Sequence, residues 1–155
     1  NLDMEIDYEN KKVILRRPEK KPATERNLFW LGEPVVRLKS RQGVDLNFGI
    51  DTGSNKTRVS HHIIPKLGVS STETKDVSVG GAGGFESIPM KVLRDVDVLL
   101  DSFNLHFAEI ESHPSRHSEF LKTDGLIGSD IAKKGGFRFD FLNGRLDYFA
   151  KETEE

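Results

Sequence analysis

Turns rich in glycine, asparagine and aspartate cut this chain into short apolar segments from one end to the other. That punctuation predicts an all-β domain, mostly strand with one or two short helices. The candidate strands are Glu5–Tyr8, Lys12–Arg16, Pro34–Lys39, Val44–Ile50, Lys75–Val79, Ser87–Leu93, Val96–Leu99, Asn104–Ile110, Phe137–Phe141 and Arg145–Tyr148. Several alternate cleanly, with Val44, Leu46 and Phe48 on one face of theirs. Ser60–Leu67 reads as a short helix, and so does Asp130–Lys134 after Gly128. At 155 residues the chain has the size of one domain, and its ten Phe with scattered Ile, Val and Leu suffice for one core.

Three parts are expected along the chain: residues 1–26 as a leading β-hairpin and charged linker, 27–150 as the main lobe, and 151–155 as a disordered tail. The linker centres on the Pro-bounded stretch Pro18–Pro22. MEIDYENKKVIL, from Met4, echoes FRFDFLNGRLDYF, from Phe137. Asp7 aligns with Asp140, Tyr8 with Phe141, Asn10 with Asn143, Lys12 with Arg145 and Val13 with Leu146. Both stretches read as hairpins with an Asn-containing turn, and Asn143-Gly144 predicts a type I′ turn. One reading is that hairpins simply resemble one another. The other makes residues 1–17 the closing hairpin of a preceding, homologous lobe, and this chain the second half of a duplicated protein. A start at Asn1 and not Met reads as a processed or excised chain.

Composition excludes several classes. With 23 basic against 25 acidic residues, a net charge of −2 gives no footprint for nucleic acid or anionic membrane. No apolar run approaches the ~18 residues of a membrane span, and no signal peptide is visible. The absence of cysteine excludes disulfide scaffolds, zinc–thiolate sites and thiol nucleophiles. It leaves the compartment open, an extracytoplasmic setting (periplasm or cell envelope) being the one preferred.

The stretch that carries chemistry is FGIDTGSNKTRVS, residues 48–60. Asp51-Thr52-Gly53-Ser54 follows an apolar strand and precedes a polar turn, which suits a carboxylate held at the rim of a core. Gly53 leaves room for close backbone approach, and the hydroxyls of Thr52 and Ser54 can orient the carboxylate or support the loop. A plain Asx-turn between two strands accounts for the same four letters.

The downstream order narrows this. A DTGS strand end is followed by a helical stretch ending in KLGV, a glycine-rich hairpin VSVGGAGGF, paired strands, TDGLIGSDI with two apolar residues before Gly128, and a closing hairpin. This order resembles the retropepsin-like aspartic protease family, the single-lobe relatives of pepsin, from about Val35 to Phe149. The resemblance implies a closed β-barrel lobe in which Asp51 is catalytic. It implies that Thr52 makes buried hydroxyl contacts between two active-site loops, that Gly53 allows the tight loop, and that Ser54 hydrogen-bonds the outer carboxylate oxygen. Leu126, Ile127 and Gly128 would cross behind the loop and brace it. Val77–Phe85 would be the flap over the substrate, carried by Val79, Gly80, Gly81, Ala82, Gly83, Gly84 and Phe85. Two departures stand out: Gly49 occupies a place where a bulkier strand residue is common, loosening the strand, and the hairpin has Phe85 but no tyrosine.

The implied chemistry needs two neighbouring carboxylates sharing one proton, and this chain has one DTG. The second must come from a homodimer or from a preceding lobe, so an isolated copy is expected to be inactive. Asp124 and Asp130, flanking Leu-Ile-Gly, are expected to serve as turn residue and helix cap. The expected partners are a peptide or protein substrate and the second lobe or subunit, with no cofactor and no metal. A competing reading is a peptide-binding module of the same fold that does not cut. A lesser one takes GIDTGSNKT as similar to the first phosphate loop of the ATP-binding actin, sugar-kinase and Hsp70 superfamily. The spacing fits neither a P-loop nor a dinucleotide fingerprint. His61, His62, His113 and His117 are expected as surface histidines.

Overall fold

The computed structural model describes residues 2–22, 25–69, 71–81, 83–114, 123–132 and 135–150. The expectations for Ala82, His117, residues 133–134 and the 151–155 tail lie outside them. Among these residues twelve strands run in order: β1 (Asp3–Asp7), β2 (Lys12–Arg16), β3 (Leu28–Trp30), β4 (Pro34–Ser40), β5 (Asp45–Ile50), β6 (Arg58–Ser60), β7 (Ser71–Gly81), β8 (Gly84–Leu100), β9 (Phe103–His113), β10 (Gly125–Ile127), β11 (Gly135–Asp140) and β12 (Arg145–Ala150). One short helix, α1 (Ile64–Leu67), interrupts them. The protein is mostly β, in agreement with the lobe type expected from its sequence.

An eight-stranded sheet runs β3-β4-β5-β10-β6-β9-β8-β7, and an additional pairing of β4 with β8 closes it on itself. Closure places Lys39 opposite Leu99 and Ser40 opposite Val98. Period-two alternation fills the interior: Val36 and Leu38 of β4, with Leu46, Phe48 and Ile50 of β5, are buried. Val59, Ile127, Leu93 and Ile110 join them in one cluster. A separate four-stranded sheet, β12-β11-β1-β2, packs Phe137, Phe139 and Leu146 against the same core.

Several elements differ from the sequence expectation for physical reasons. β8 is one strand of 17 residues, where two pieces were expected. The break read from the sequence is Asp95, which holds φ 54° while the ladder to β9 continues on both sides. The expected helix Ser60–Leu67 divides into the end of β6, a 3-10 turn at His61–Ile63, and α1, which stops where Gly68 turns left-handed at φ 70°. Ser129–Ala132 is likewise a 3-10 turn. Asn143-Gly144 does not form a type I′ turn. The β11–β12 connection spans the four residues between the closing pair Asp140 and Arg145, and Gly144 supplies its only positive φ. Gly49 does not loosen β5, since it pairs with Val35 on one side and Leu126 on the other. The Pro18–Pro22 linker is tied down by Lys21, whose N–H donates to Asn143 (3.1 Å) and whose Nζ lies 2.7 Å from Asp140.

Candidate active site

The Asp51 loop leaves the C-terminal end of β5, and three features give it its shape. The Asp51 N–H donates to the Ile127 carbonyl (2.9 Å), which continues the parallel pairing of β5 with β10 past the end of the strand. The Ser54 N–H donates back to the Asp51 carbonyl at 3.1 Å, making a tight turn. The Gly53 N–H donates to Asp51 Oδ1 at 2.9 Å and fixes the carboxylate. A side chain at Gly53 would sit 3.2 Å from that oxygen, so the absent Cβ lets the carboxylate fold over its own loop.

Leu126, Ile127 and Gly128 lie behind this loop. Ile127 is buried in the core, and Leu126 packs where Gly49 leaves room, 3.3 Å from the position of a missing Cβ. Gly128 is pressed against Lys56, whose backbone carbon would lie 2.5 Å from an added Cβ. Ser129 closes the back of the loop, its N–H and hydroxyl both donating to the Ser54 carbonyl at 2.8 and 2.9 Å.

The bonds that lock these two segments together come from residues the sequence reading missed or placed elsewhere. Thr57 is buried, and its hydroxyl donates to Asp130 Oδ1 (2.6 Å) while accepting from the Gly128 N–H (3.0 Å). The Thr57 N–H donates to Asp130 Oδ2 at 2.8 Å. Asp130 therefore binds the β5–β6 connection and is more than a local cap. Asp124 is also more than a turn residue. Its Oδ2 accepts from the Asn47 N–H of β5 at 2.8 Å, and its Oδ1 lies 2.9 Å from His62 Nε2. Ser54 departs from its expected role too: its hydroxyl donates to the Lys56 carbonyl at 2.9 Å and not to the Asp51 carboxylate. Thr52 is exposed on this lobe.

Asp51 faces a cleft of ≈ 520 Å³ shared with Gly53, Ser54, Asn55, Arg58, Leu126, His113 and the β7–β8 hairpin residues Ser78, Val79, Gly80 and Phe85. In that hairpin Gly80 pairs with Phe85 and Gly81 with Gly84. The Phe85 ring lies over Gly80, so close that a Cβ there would meet it at 2.7 Å. Phe85 is 87% exposed, an aromatic face held out toward the cleft by a glycine-rich tip. Gly83 and Gly84 complete the described tip.

Arg58 is a cleft residue with no sequence signal. Its Nε donates to Glu111 at 3.0 Å, and Lys56 Nζ lies 2.5 Å from the same carboxylate. Burial pushes the Glu111 carboxyl up, but Lys56 and Arg58 outweigh it and hold it below its ordinary range. The leading hairpin also reaches the site. Tyr8, just beyond β1, has a buried hydroxyl beside Thr52. Burial raises its pKa above the ordinary phenol value and the nearby Asp51 charge adds to this, together outweighing the hydrogen bond with Thr52 that lowers it.

The Asp51 loop leads into β6, and the only α-helix among the described residues is the four-residue α1. A second cavity of ≈ 490 Å³, between Phe103, Phe107, Ile131 and Tyr148, is lined by Asp130 but by no residue of the Asp51 loop or the β7–β8 hairpin. The histidines are not all simple surface groups: His61 is half-buried with Nε2 unpaired, and burial lowers its pKa. Among the described residues no group of three or more His, Asp or Glu is placed to hold a metal ion, and no helix is long and apolar enough to cross a membrane.

No family model matches the chain, and no curated protein matches it in sequence. Among solved structures it is similar to a retropepsin-like aspartic protease from Rickettsia conorii, with 17% identity and a TM-score of 0.44 over 72% of this chain and 80% of that one. It is also similar to a protein of unknown function (DUF785) from Legionella pneumophila, with 15% identity and a TM-score of 0.36 over 63% of this chain and 81% of that one. Neither likeness is close enough to carry a functional argument.

Proposed function

We propose that the chain is one lobe of an aspartic-type endopeptidase, with Asp51 as one member of a carboxylate pair and the other supplied by a second lobe or subunit. The observation that carries this reading is the placement of Asp51. Its carboxylate is held by the Gly53 N–H, braced from behind by Ile127, and open to a cleft roofed by a glycine-rich hairpin.

Two carboxylates brought together resist joint ionisation and hold one proton between them. The ionised member then takes a proton from water while the protonated member polarises the scissile carbonyl. Their titration belongs to the pair. Thr52, Gly53 and Ser54 keep the loop in shape, Leu126-Ile127-Gly128 brace it, and Val79–Phe85 close over the bound peptide as a flap. The test is Asp51→Asn in protein that contains the second carboxylate. Peptide cleavage should fall by about 10²–10⁴-fold or more, with an unchanged circular dichroism spectrum. Retained cleavage would refute the reading.

A second reading, peptide capture without cleavage, is favoured by one feature. Among the described residues β7 ends the eight-stranded sheet, and its outer edge has no strand partner there, so it can accept an extended peptide as an added strand. Binding that survives Asp51→Asn in a protein that never cleaves would favour it.

A further inference from the structure

The four-stranded sheet is built from two hairpins that match residue for residue. One numbering offset carries the β1–β2 ladder, Asp3 opposite Arg16 through Asp7 opposite Lys12, onto the β11–β12 ladder, Gly136 opposite Phe149 through Asp140 opposite Arg145. The turns match as well. Asp7 accepts from the Asn10 N–H and side-chain amide (2.9 and 2.6 Å), and Asp140 accepts from those of Asn143 (3.1 and 2.9 Å). Lys11 and Gly144, at the same place in each turn, both take positive φ, 54° and 67°.

The hairpins also meet as symmetry mates. β1 and β11 pair antiparallel about the Glu5–Arg138 position, with Asp3 opposite Asp140 and Asp7 opposite Gly136. The flanking bonds are reciprocal: the Tyr8 N–H donates to the Gly135 carbonyl, and the Phe141 N–H to the Leu2 carbonyl, both at 3.3 Å. On β1 and β11, Asp3 thus pairs with the counterpart of Asp7, and Asp7 with the counterpart of Asp3, which is the signature of a two-fold relation.

The environments of the two hairpins are not equal. Two side-chain rows cross one face of the sheet, Leu15-Met4-Phe139-Leu146 and Val13-Ile6-Phe137-Tyr148. Leu146 and Phe137 are buried under the barrel at 0% and 1% exposure, whereas Leu15 and Val13 stand bare at 60% and 62%. The offset places Val13 on Leu146 and Leu15 on Tyr148. The uncovered half of the sheet therefore carries side chains at the positions that close this lobe's own core.

We infer that the exposed face of β1–β2 is the seat of a second β-barrel lobe homologous to residues 27–150, which precedes this segment in the same polypeptide and is closed by β1–β2. A second copy of this chain does not fit the seat. Each copy brings its own β11–β12, and the edge of β11 that such a copy would pair with is filled by β1. The source of the second carboxylate follows from this, and that step alone rests on the peptidase reading.

The test compares the complete gene product with the 155-residue chain. A second Asp-Thr-Gly or Asp-Ser-Gly is expected at the same offset ahead of Asp51. Val13→Arg with Leu15→Arg should move the thermal midpoint of the 155-residue chain by no more than about 2 °C, and lower that of the complete product by about 5 °C or more. The milder pair Val13→Thr with Leu15→Thr should give the same contrast at smaller size. An upstream sequence without such a lobe, or an equal response of the two proteins, overturns the inference. Because the readout is stability, a complete product that shows the contrast but cleaves nothing upholds the docking and refutes the peptidase reading.

Discussion

Thr57 joins two segments that lie far apart in sequence, and its hydroxyl works in both directions, giving to Asp130 and receiving from Gly128. Thr57→Val keeps the shape but removes a hydrogen bond to Asp130 Oδ1, which retains the Ile131 N–H, and strands the buried Gly128 N–H, so a loss of about 1–3 kcal/mol is expected in urea denaturation. Thr57→Ser should restore most of it. Gly128→Ala forces a methyl onto the Lys56 backbone and should cost about 1–3 kcal/mol. At this scale the sequence was legible where a motif is local. Asp51, Gly53 and the Leu-Ile-Gly brace could be named because each sits within a few letters of the others or in a recurrent order. Thr57 and Asp130 could not be joined from the sequence, since the crossing of β10 behind β5 brings them together, nor could Arg58 be joined to Glu111, which the parallel pairing of β6 with β9 sets beside it. Ser54 was assigned a carboxylate contact that its own backbone neighbour Lys56 takes instead.

The β8–β9 ladder and the β4–β5 turn are stitched together by Asp97. Its carboxylate meets His106 Nδ1 at 2.9 Å, Asn104 Nδ2 at 3.1 Å and Arg41 Nη2 at 2.5 Å, close to where β4 closes the barrel on β8. The His106 hydrogen bond is the largest influence holding the Asp97 pKa below the ordinary carboxylate value; Asn104 and Arg41 add to it, against the upward push of burial. A depressed folded-state pKa contributes stability that is complete above the unfolded value, near ~3.9, and lost as pH falls through the folded one. The stability difference between wild type and Asp97→Asn should therefore shrink from pH 5 downward, as followed by denaturation midpoints across that range. The β7–β8 hairpin predicts the opposite kind of result. Phe85 is almost wholly exposed, so Phe85→Ala should change stability by no more than about 0.5 kcal/mol. Under the peptidase reading it should raise KM for peptides, as steady-state kinetics would reveal. Strands of this length were readable from alternation and glycine breaks. The short β3, β6 and β10 were not, because three residues carry too little period to register.

Across the whole molecule, the barrel and the four-stranded sheet share one core through Phe137, Phe139 and Leu146. The echo between the two hairpins, with Asp7 on Asp140 and Lys12 on Arg145, was visible in letters alone, but the pairing of β1 with β11 was not, because a ladder is a relation between strands and not a property of either. The 155-residue chain alone is expected to show no peptide cleavage, since only one Asp-Thr-Gly is present. An activity assay run alongside sedimentation at rising concentration checks this. Cleavage that grows with the square of concentration would mean that two copies can pair their Asp51 loops after all.

The continuity of the β12-β11-β1-β2 ladder has a mechanical consequence. A floor woven from hydrogen bonds bends little, and prying its two halves apart would mean tearing the β1–β11 seam. Under the peptidase reading, a peptide would then reach Asp51, exposed on this lobe, past the glycine-rich β7–β8 roof. Loading and release would be set by how readily that roof lifts, and crosslinking its tip should slow turnover far more than stiffening the floor.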